Sequence, residues 1–315
     1  MIRGYVLRDG RLDGGEISDP AGLTDDLIWV DAVAPSDAER GWLEAAYGWT
    51  SPHESELREI EASSRFFVDD DGAHVRSFFL SESKGRPRSV TVAFLVGQGR
   101  LFTVRGSAPM DFSGLVAELR VTAALVSDEF DVMLRLFEHK VDRLADLLEG
   151  LHADLEGIDE RLLDSAERAP ELLMAELARK RDVNEKIRLA LMDEERALSI
   201  MLRRNGIPER HQAFAREILR DVESLQTHTA FLSDRLDALL NEIVGRVTIE
   251  QNRIIKALSV AAVVFLPPTL IASAYGMNFV HMPELDRPWA YPIALVAMIA
   301  SGLVPLYILK RKGWL

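Results

Sequence analysis

Hydrophobic positions change their spacing three times along the chain. Up to about residue 105 they come in short runs rich in β-branched and aromatic residues: 27-LIWVD-31, 65-RFFV-68, 74-HVRSFFL-80, 90-VTVAFLV-96 and 101-LFTVR-105. Runs of this length predict strands. The 69-DDDG-72 segment between two of them predicts a hairpin turn, because Asp and Gly accept turn geometry. The alternative, a calcium loop, fails on spacing, since these aspartates do not follow the EF-hand pattern. Helices fit around 36–47 and 52–62.

From about Asp128 the apolar positions step by three and four: Leu134, Phe137, Val141, Leu144, Leu148, Leu151, Leu155, Ile158 and Leu162. This is the seam of a helix packed lengthwise on other helices. Pro170 interrupts it, and a second helix runs to about Arg204. Asn205-Gly206 stops that helix, and Pro208 suits the first turn of the next. The next seam is Phe214, Ile218, Val222, Leu225, Leu232, Leu236, Leu239 and Ile243, with Thr229 as its one polar member. Nothing breaks it before the apolar region beyond, so one helix is expected from about 209 to 275. At 1.5 Å per residue it is roughly 100 Å long and needs neighbours from its own chain and from other copies.

The third pattern is uninterrupted. The 27 residues between Lys256 and Glu284, and the 22 between Arg287 and Lys310, contain no Asp, Glu, Lys or Arg. About 20 apolar residues cross a bilayer as helix, so two spans are expected, with buried core helices as the alternative. Arg253 and Lys256 precede the first span, and Lys310, Arg311 and Lys312 follow the second. Positive flanks stay inside, which puts both termini in the cytoplasm and the short loop outside. Trp289, Tyr291 and Trp314 lie near the expected interfaces.

Charge and composition narrow the function. The chain has 315 residues and a net charge of −13, divided as −17 over residues 1–252 and +4 beyond. An acidic body argues against nucleic-acid binding. The absence of cysteine excludes disulfides, thiolate metal sites and thiol catalysis. Any metal must then be met mainly by oxygen or imidazole, and oxygen suits hard cations such as magnesium. The seven histidines form no ligand cluster in the sequence. No phosphate loop, G-x-S-x-G or H-E-x-x-H is present, so neither an enzyme nor an ATP-driven pump is expected, and no organic cofactor. The N-terminal stretch lacks the apolar core of a signal peptide.

The polar and small residues of the first span lie on one stripe. Asn252, Ile255, Ser259, Ala262, Leu266, Thr269 and Ser273 recur at steps of about 3.5, within about 100° of helix surface. The stripe is either a small-residue contact between helices or the wall of a polar path. Two spans cannot enclose such a path, whereas a ring of identical chains can. Pro267-Pro268 frees the carbonyls of Val263 and Val264, which are expected to face water or a neighbouring chain. Gly276 ends the helix, and Asn278 offers an amide oxygen. A ring of such oxygens would hold a hydrated magnesium ion through its waters without trapping it.

The motifs 275-YGMNF-279, 282-MPEL-285 and 310-KRKGWL-315, with 250-EQNRIIK-256 and 266-LPPT-269 upstream, resemble the CorA family of magnesium transporters. The likeness extends to 59-EIEASSRFFVDDDGAH-74 and 216-REILRDVESL-225, and so covers nearly the whole chain. It implies an α+β protein: a cytoplasmic α/β domain (1–125), a stalk of long helices (126–252) and a membrane domain (253–315). The spans then lie at about 254–275 and 289–309, with an outer loop at 276–288.

The resemblance further implies a homopentamer in the inner membrane that passes magnesium, and also cobalt and possibly nickel, down the electrochemical gradient. Gly276, Met277 and Asn278 would form the filter. Asn252 and Thr269 match pore positions, and Ile255 and Leu258 would form the hydrophobic part of the pore. Regulatory magnesium bound between neighbouring subunits would fall near Glu82 and Glu217, with Asp221 competing. Glu284, in the acidic outer loop with MPEL, favours magnesium over the rival reading, a ZntB-like zinc transporter. A non-conducting membrane-anchored scaffold or sensor is the other alternative.

Overall fold

The computed structural model describes residues 1–52, 66–83, 86–107, 110–122, 126–163, 170–204, 206–277, 282–283 and 286–313. They divide into two compact units, Met1–Leu239 and Leu240–Leu315. The expected helix over 52–62 lies almost wholly outside the described residues, as do Asn205 and Trp314.

The first unit contains a seven-stranded sheet. Its strands are β1 (Ile2–Arg8), β2 (Arg11–Ile17), β3 (Leu27–Val33), β4 (Phe66–Val68), β5 (Ala73–Ser83), β6 (Arg86–Gly97) and β7 (Arg100–Arg105), in spatial order β2-β1-β3-β7-β6-β5-β4. Only β3 and β7 pair in parallel; the other neighbours are antiparallel. The predicted 69-DDDG-72 turn joins β4 to β5. Asp69 accepts from the amides of Asp71 (3.0 Å) and Gly72 (3.2 Å), and its own amide donates to the Gly72 carbonyl at 3.1 Å. His74 closes on the same carboxylate at 3.1 Å, so the aspartate serves the turn. Gly72, at φ 142°, lies against Gly97, and a side chain there would strike the Val96 carbonyl.

Alternation along the strands gives the sheet two buried faces. On one, Val30, Ala32, Leu95, Phe102 and Val104 pack with Leu43 of α1 (Asp37–Tyr47) and with Trp49. Ser36 and Glu39 cap α1 reciprocally, and Gly48 ends it in the left-handed conformation. On the other face lie Phe79 and Phe94. Phe112 of α2 (Met110–Val121) reaches Phe79 at 5.6 Å between ring centres, and Phe137 of α3 (Glu129–Leu163) reaches Phe94 at 5.2 Å.

Helices α3, α4 (Pro170–Arg203) and α5 (Glu209–Tyr275) follow the predicted seams. Every apolar seam residue named on α3 is buried. On α5 the seam is buried apart from half-buried Phe214 and Leu225. Thr229, fully buried, is tolerated because its hydroxyl donates to the Gln226 carbonyl (2.7 Å) and its own carbonyl accepts from Asn184 (3.0 Å). Ion pairs Arg161–Glu176, Lys180–Asp154, Arg181–Asp237 and Arg235–Asp159 rung the outside of the three helices.

Candidate functional site

The site begins on the second unit, where α5 continues to Tyr275 and is followed by α6 (Ala290–Arg311). Both helices are long and apolar enough to cross a bilayer, and their most apolar windows are almost wholly exposed. Soluble core helices bury such surface, so the buried-helix alternative fails for this pair.

Burial separates the two sides of the first span. Val260, Val264, Pro267, Pro268 and Ile271 are half-buried, whereas Asn252, Ile255, Leu258, Ser259, Ala262, Leu266, Thr269 and Ser273 are exposed. At about 100° per residue these two sets lie on opposite sides of the helix. Within the first set, Val264 and Pro268 lie against Gly302 of the chain's own α6, and nothing among the described residues covers the stripe. The Thr269 hydroxyl donates to the Phe265 carbonyl at 2.7 Å, so its proton is spent and its lone pairs point away from the backbone. Those lone pairs can accept from water.

The proline pair corrects one expectation. The helix runs through Pro267 and Pro268 without ending. A Cβ placed on Gly302, the buried residue of α6, would stand 3.2 Å from the Val264 carbonyl oxygen and 3.5 Å from the Pro268 ring. One freed carbonyl therefore faces the chain's own second span, not water or a neighbour. The physical reason is size: glycine lets the α6 backbone come close enough to shield an acceptor that has lost its amide. Gly276 also behaves differently from a left-handed cap. Its amide donates to Ala272 at 2.9 Å and its φ stays out of the positive region. Gly276 and half-exposed Met277 follow the helix end; Asn278 and Glu284 lie outside the described residues.

The acidic candidates sit in the first unit. Glu82 pairs in register with Pro87 on β5 and β6, and its side chain lies outside the described residues. Glu217 and Asp221 are exposed, one turn apart on α5. Asp221 contributes to an acidic patch with Asp142 and Asp146 of α3 and Glu118 of α2. Burial pushes the Asp142 carboxyl above its ordinary range; His139 opposes this, and the like charges of Asp221, Asp146 and Glu118 add to it.

Two further polar clusters were not visible in the sequence. Asp128, Asp131 and His211 bring their ligand atoms within 4.8 Å of one another, where no histidine cluster was expected. Their donors and acceptors are engaged. Asp128 accepts from the Asp131 amide at the start of α3 and pairs with Arg210, and Asp131 accepts from Ser127. His211 lies between both carboxylates, 2.8 Å from Asp128 and 3.1 Å from Asp131. Burial alone would raise Asp128, but these partners hold its carboxyl below the ordinary range. This is a joint between the starts of α3 and α5.

Deeper still, Lys140 meets Glu194 at 2.9 Å with both side chains buried, and Lys140 also donates to Ser77 at 3.1 Å. Burial outweighs the lysine and pushes the Glu194 carboxyl up to about 7. Nothing in the local periodicity marks either partner, because α3 and α4 supply one each.

A mixed sheet carrying long helices, followed by two exposed apolar helices, defines a two-span membrane protein. Its chain folds like the complete CorA magnesium transporter from Methanocaldococcus jannaschii, with a TM-score of 0.79 at 17% identity over 100% of this chain and 99% of that one. A protein-family profile described as "CorA-like Mg2+ transporter protein" matches residues 24–311, and the chain belongs to that family. It is 42% identical over 317 residues, the whole of both chains, to the magnesium transport protein CorA of Pasteurella multocida. The cytoplasmic domain of ZntB from Vibrio parahaemolyticus is more distant, with a TM-score of 0.57 at 12% identity over 78% of this chain and 97% of that one. Proteins of the CorA family are ion transporters and not enzymes.

Proposed function

We propose that this chain carries Mg2+ into the cell as a homopentameric channel, with cobalt and nickel as further cargo. The observation that carries the reading is the uncovered stripe of α5 on the side away from α6. A helix that leaves Ser259, Thr269 and Ser273 outward within an apolar span, with Asn252 just below it, needs a polar neighbour. Copies of itself around an axis supply one. Full-length identity with a magnesium transport protein supports the choice of ion.

In this reading residues 1–125 and 126–252 are cytoplasmic, residues 253–315 lie in the inner membrane, and both termini face the cytoplasm. Gly276, Met277 and Asn278 form the filter, with Glu284 in the outer loop. Asn278 oxygens take the hydrated ion, and Thr269 lone pairs accept from its waters further in. Ile255 and Leu258 close the path when it is dry. Cation entry is favoured by about 2.3 kcal/mol per charge per 100 mV. Intracellular magnesium shuts the channel by bridging carboxylates, Glu82, Glu217 and Asp221 among them, between subunits. Burial is the main cause that raises Asp142, and the like charge of Asp221 adds to it, which supports Asp221 as a member, since a divalent ion there would relieve that repulsion.

The test is ion flux into proteoliposomes with magnesium, cobalt, nickel and zinc in parallel. Asn278→Ala is expected to lower magnesium entry by about a hundredfold, or about 2.7 kcal/mol, while mass measurement in detergent still returns five copies. Parental flux in that variant, or a transport-competent monomer, would exclude the filter or the ring respectively. Zinc uptake that exceeds magnesium uptake would favour the ZntB-like alternative.

A further inference from the structure

A groove with a cavity of about 340 Å3 opens between α3 and α5 in the first unit. Glu149 of α3 and Leu225, His228 and Phe231 of α5 line it. His152 stands beside it, one turn beyond Glu149. Its ring centre lies 6.0 Å from that of His228, and both imidazoles are grouped with Phe231, at 6.4 Å and 6.1 Å.

We propose that Glu149, His152 and His228 form a binding site for a transition-metal dication of the zinc, cobalt and nickel class, separate from the magnesium path. Three observations support it. The first is an unmet need: Nδ1 of His152 is buried without a hydrogen-bond partner, and its Nε2 has only Glu156 at 3.4 Å. Among the described residues His228 has ring contacts and no hydrogen bond. The second is spacing. In 149-EGLH-152 the carboxylate and imidazole are three apart, on one helix face, the Glu-x-x-His arrangement by which helical bundles hold metals.

The third is reach. A tetrahedral ion about 2.0–2.1 Å from two imidazole nitrogens puts the ring centres roughly 5 Å apart. At 6.0 Å between ring centres the three side chains do not already converge on one point, and the ion would draw them together. Glu149 is exposed and lines the groove.

The donor set decides the ligand class. Two imidazoles and one carboxylate suit zinc, cobalt and nickel, whereas magnesium prefers all-oxygen shells and keeps its water. Half-exposed Phe231 walls the site on its apolar side. The Asp128–Asp131–His211 cluster differs in that Arg210, Ser127 and the backbone already serve its carboxylates. A bound ion would tie α3 to α5 and close the groove.

The experiment titrates Zn2+, and then Ni2+, into the metal-stripped full-length protein in detergent, using calorimetry. One ion per chain is expected, with affinity unchanged by millimolar Mg2+. His152→Ala and His228→Ala should each weaken Zn2+ binding by about tenfold or more. His228→Cys, which restores a ligand, should recover it, and His74→Ala should leave it unchanged. Metal-free unfolding midpoints equal to the parent's would show that the variants fold. Zn2+ binding that survives both alanine variants, or that magnesium displaces, overturns the proposal. Asn278→Ala is expected to bind Zn2+ like the parent, so failure of the filter reading and failure of this one are separable.

Discussion

The two units treat polarity in opposite ways. In the first, ionic groups are inside and answered. Arg105 grips Asp31 through Nε at 2.9 Å and through a second nitrogen at 2.6 Å, Thr103 donates to the same carboxylate at 2.8 Å, and Trp29 donates to Thr103 at 3.0 Å. In the second, no charged or polar side chain is fully buried among the described residues, those of the first span lie outside, and the buried residue of α6 is a glycine. A polar group matched by its own chain is structural. One left facing outward, such as Thr269, is available to a partner or to an ion. The contrast shows which polar residues to read as architecture and which as function.

The largest effect should come from breaking the answered charges. Asp31→Ala leaves Arg105 buried and unpaired, and about 3–5 kcal/mol of stability should be lost. Chemical denaturation followed through Trp29 would report it. A loss under 1 kcal/mol would mean the network matters little. Next comes crowding in the second unit, where no charged side chain is buried among the described residues. Gly302→Leu presses a side chain onto the Val264 carbonyl and the Pro268 ring, and about 1–3 kcal/mol is expected. Thermal unfolding in detergent, with Leu303→Ala as an exposed control, would measure it.

The last effect is a slope. The Glu194 carboxyl, ordinarily near 4.5, is raised to about 7 in the folded chain. The folded state therefore holds the proton more tightly than the unfolded one. Its contribution to stability is full below about pH 4.5 and is lost as pH rises through about 7. Glu194→Gln should remove this part of the pH dependence, whatever it does to absolute stability. Unfolding midpoints measured across that window would show a flatter curve, and an unchanged curve would assign the slope elsewhere.

The sequence made some of this architecture legible and hid the rest for physical reasons. The α3 and α5 seams, the ends of α5 and the Asp69–Gly72 turn are local patterns, and the structure follows them. The β1–β2 hairpin was missed although Asp9-Gly10, both at positive φ, announces its two-residue turn. Helix α2 was missed although Phe112, Leu115 and Leu119 are spaced for one buried face. Those two signals were present and unread. The Lys140–Glu194 pair, the His152–His228 pair and the approach of Gly302 to Val264 are different. Each joins residues whose separation along the chain carries no period, so only the fold brings them together. In the membrane, hydrophobic runs gave the spans and spacing gave the stripe, but the side that meets α6 shows only in the approach of Gly302 to Val264 and Pro268.

That glycine also sets an order of events during synthesis. Pro267 and Pro268 are made first, and the carbonyls of Val263 and Val264 that they leave without an amide exist before Gly302 does. Gly302 follows about 34 residues later, which at roughly 5–20 residues per second is a delay of about 2–7 s. For that interval the Val264 carbonyl has no second span to shield it. The two spans are therefore best regarded as one late-maturing hairpin. A nascent chain stalled within the delay would expose a flaw that the cell's quality control can recognise.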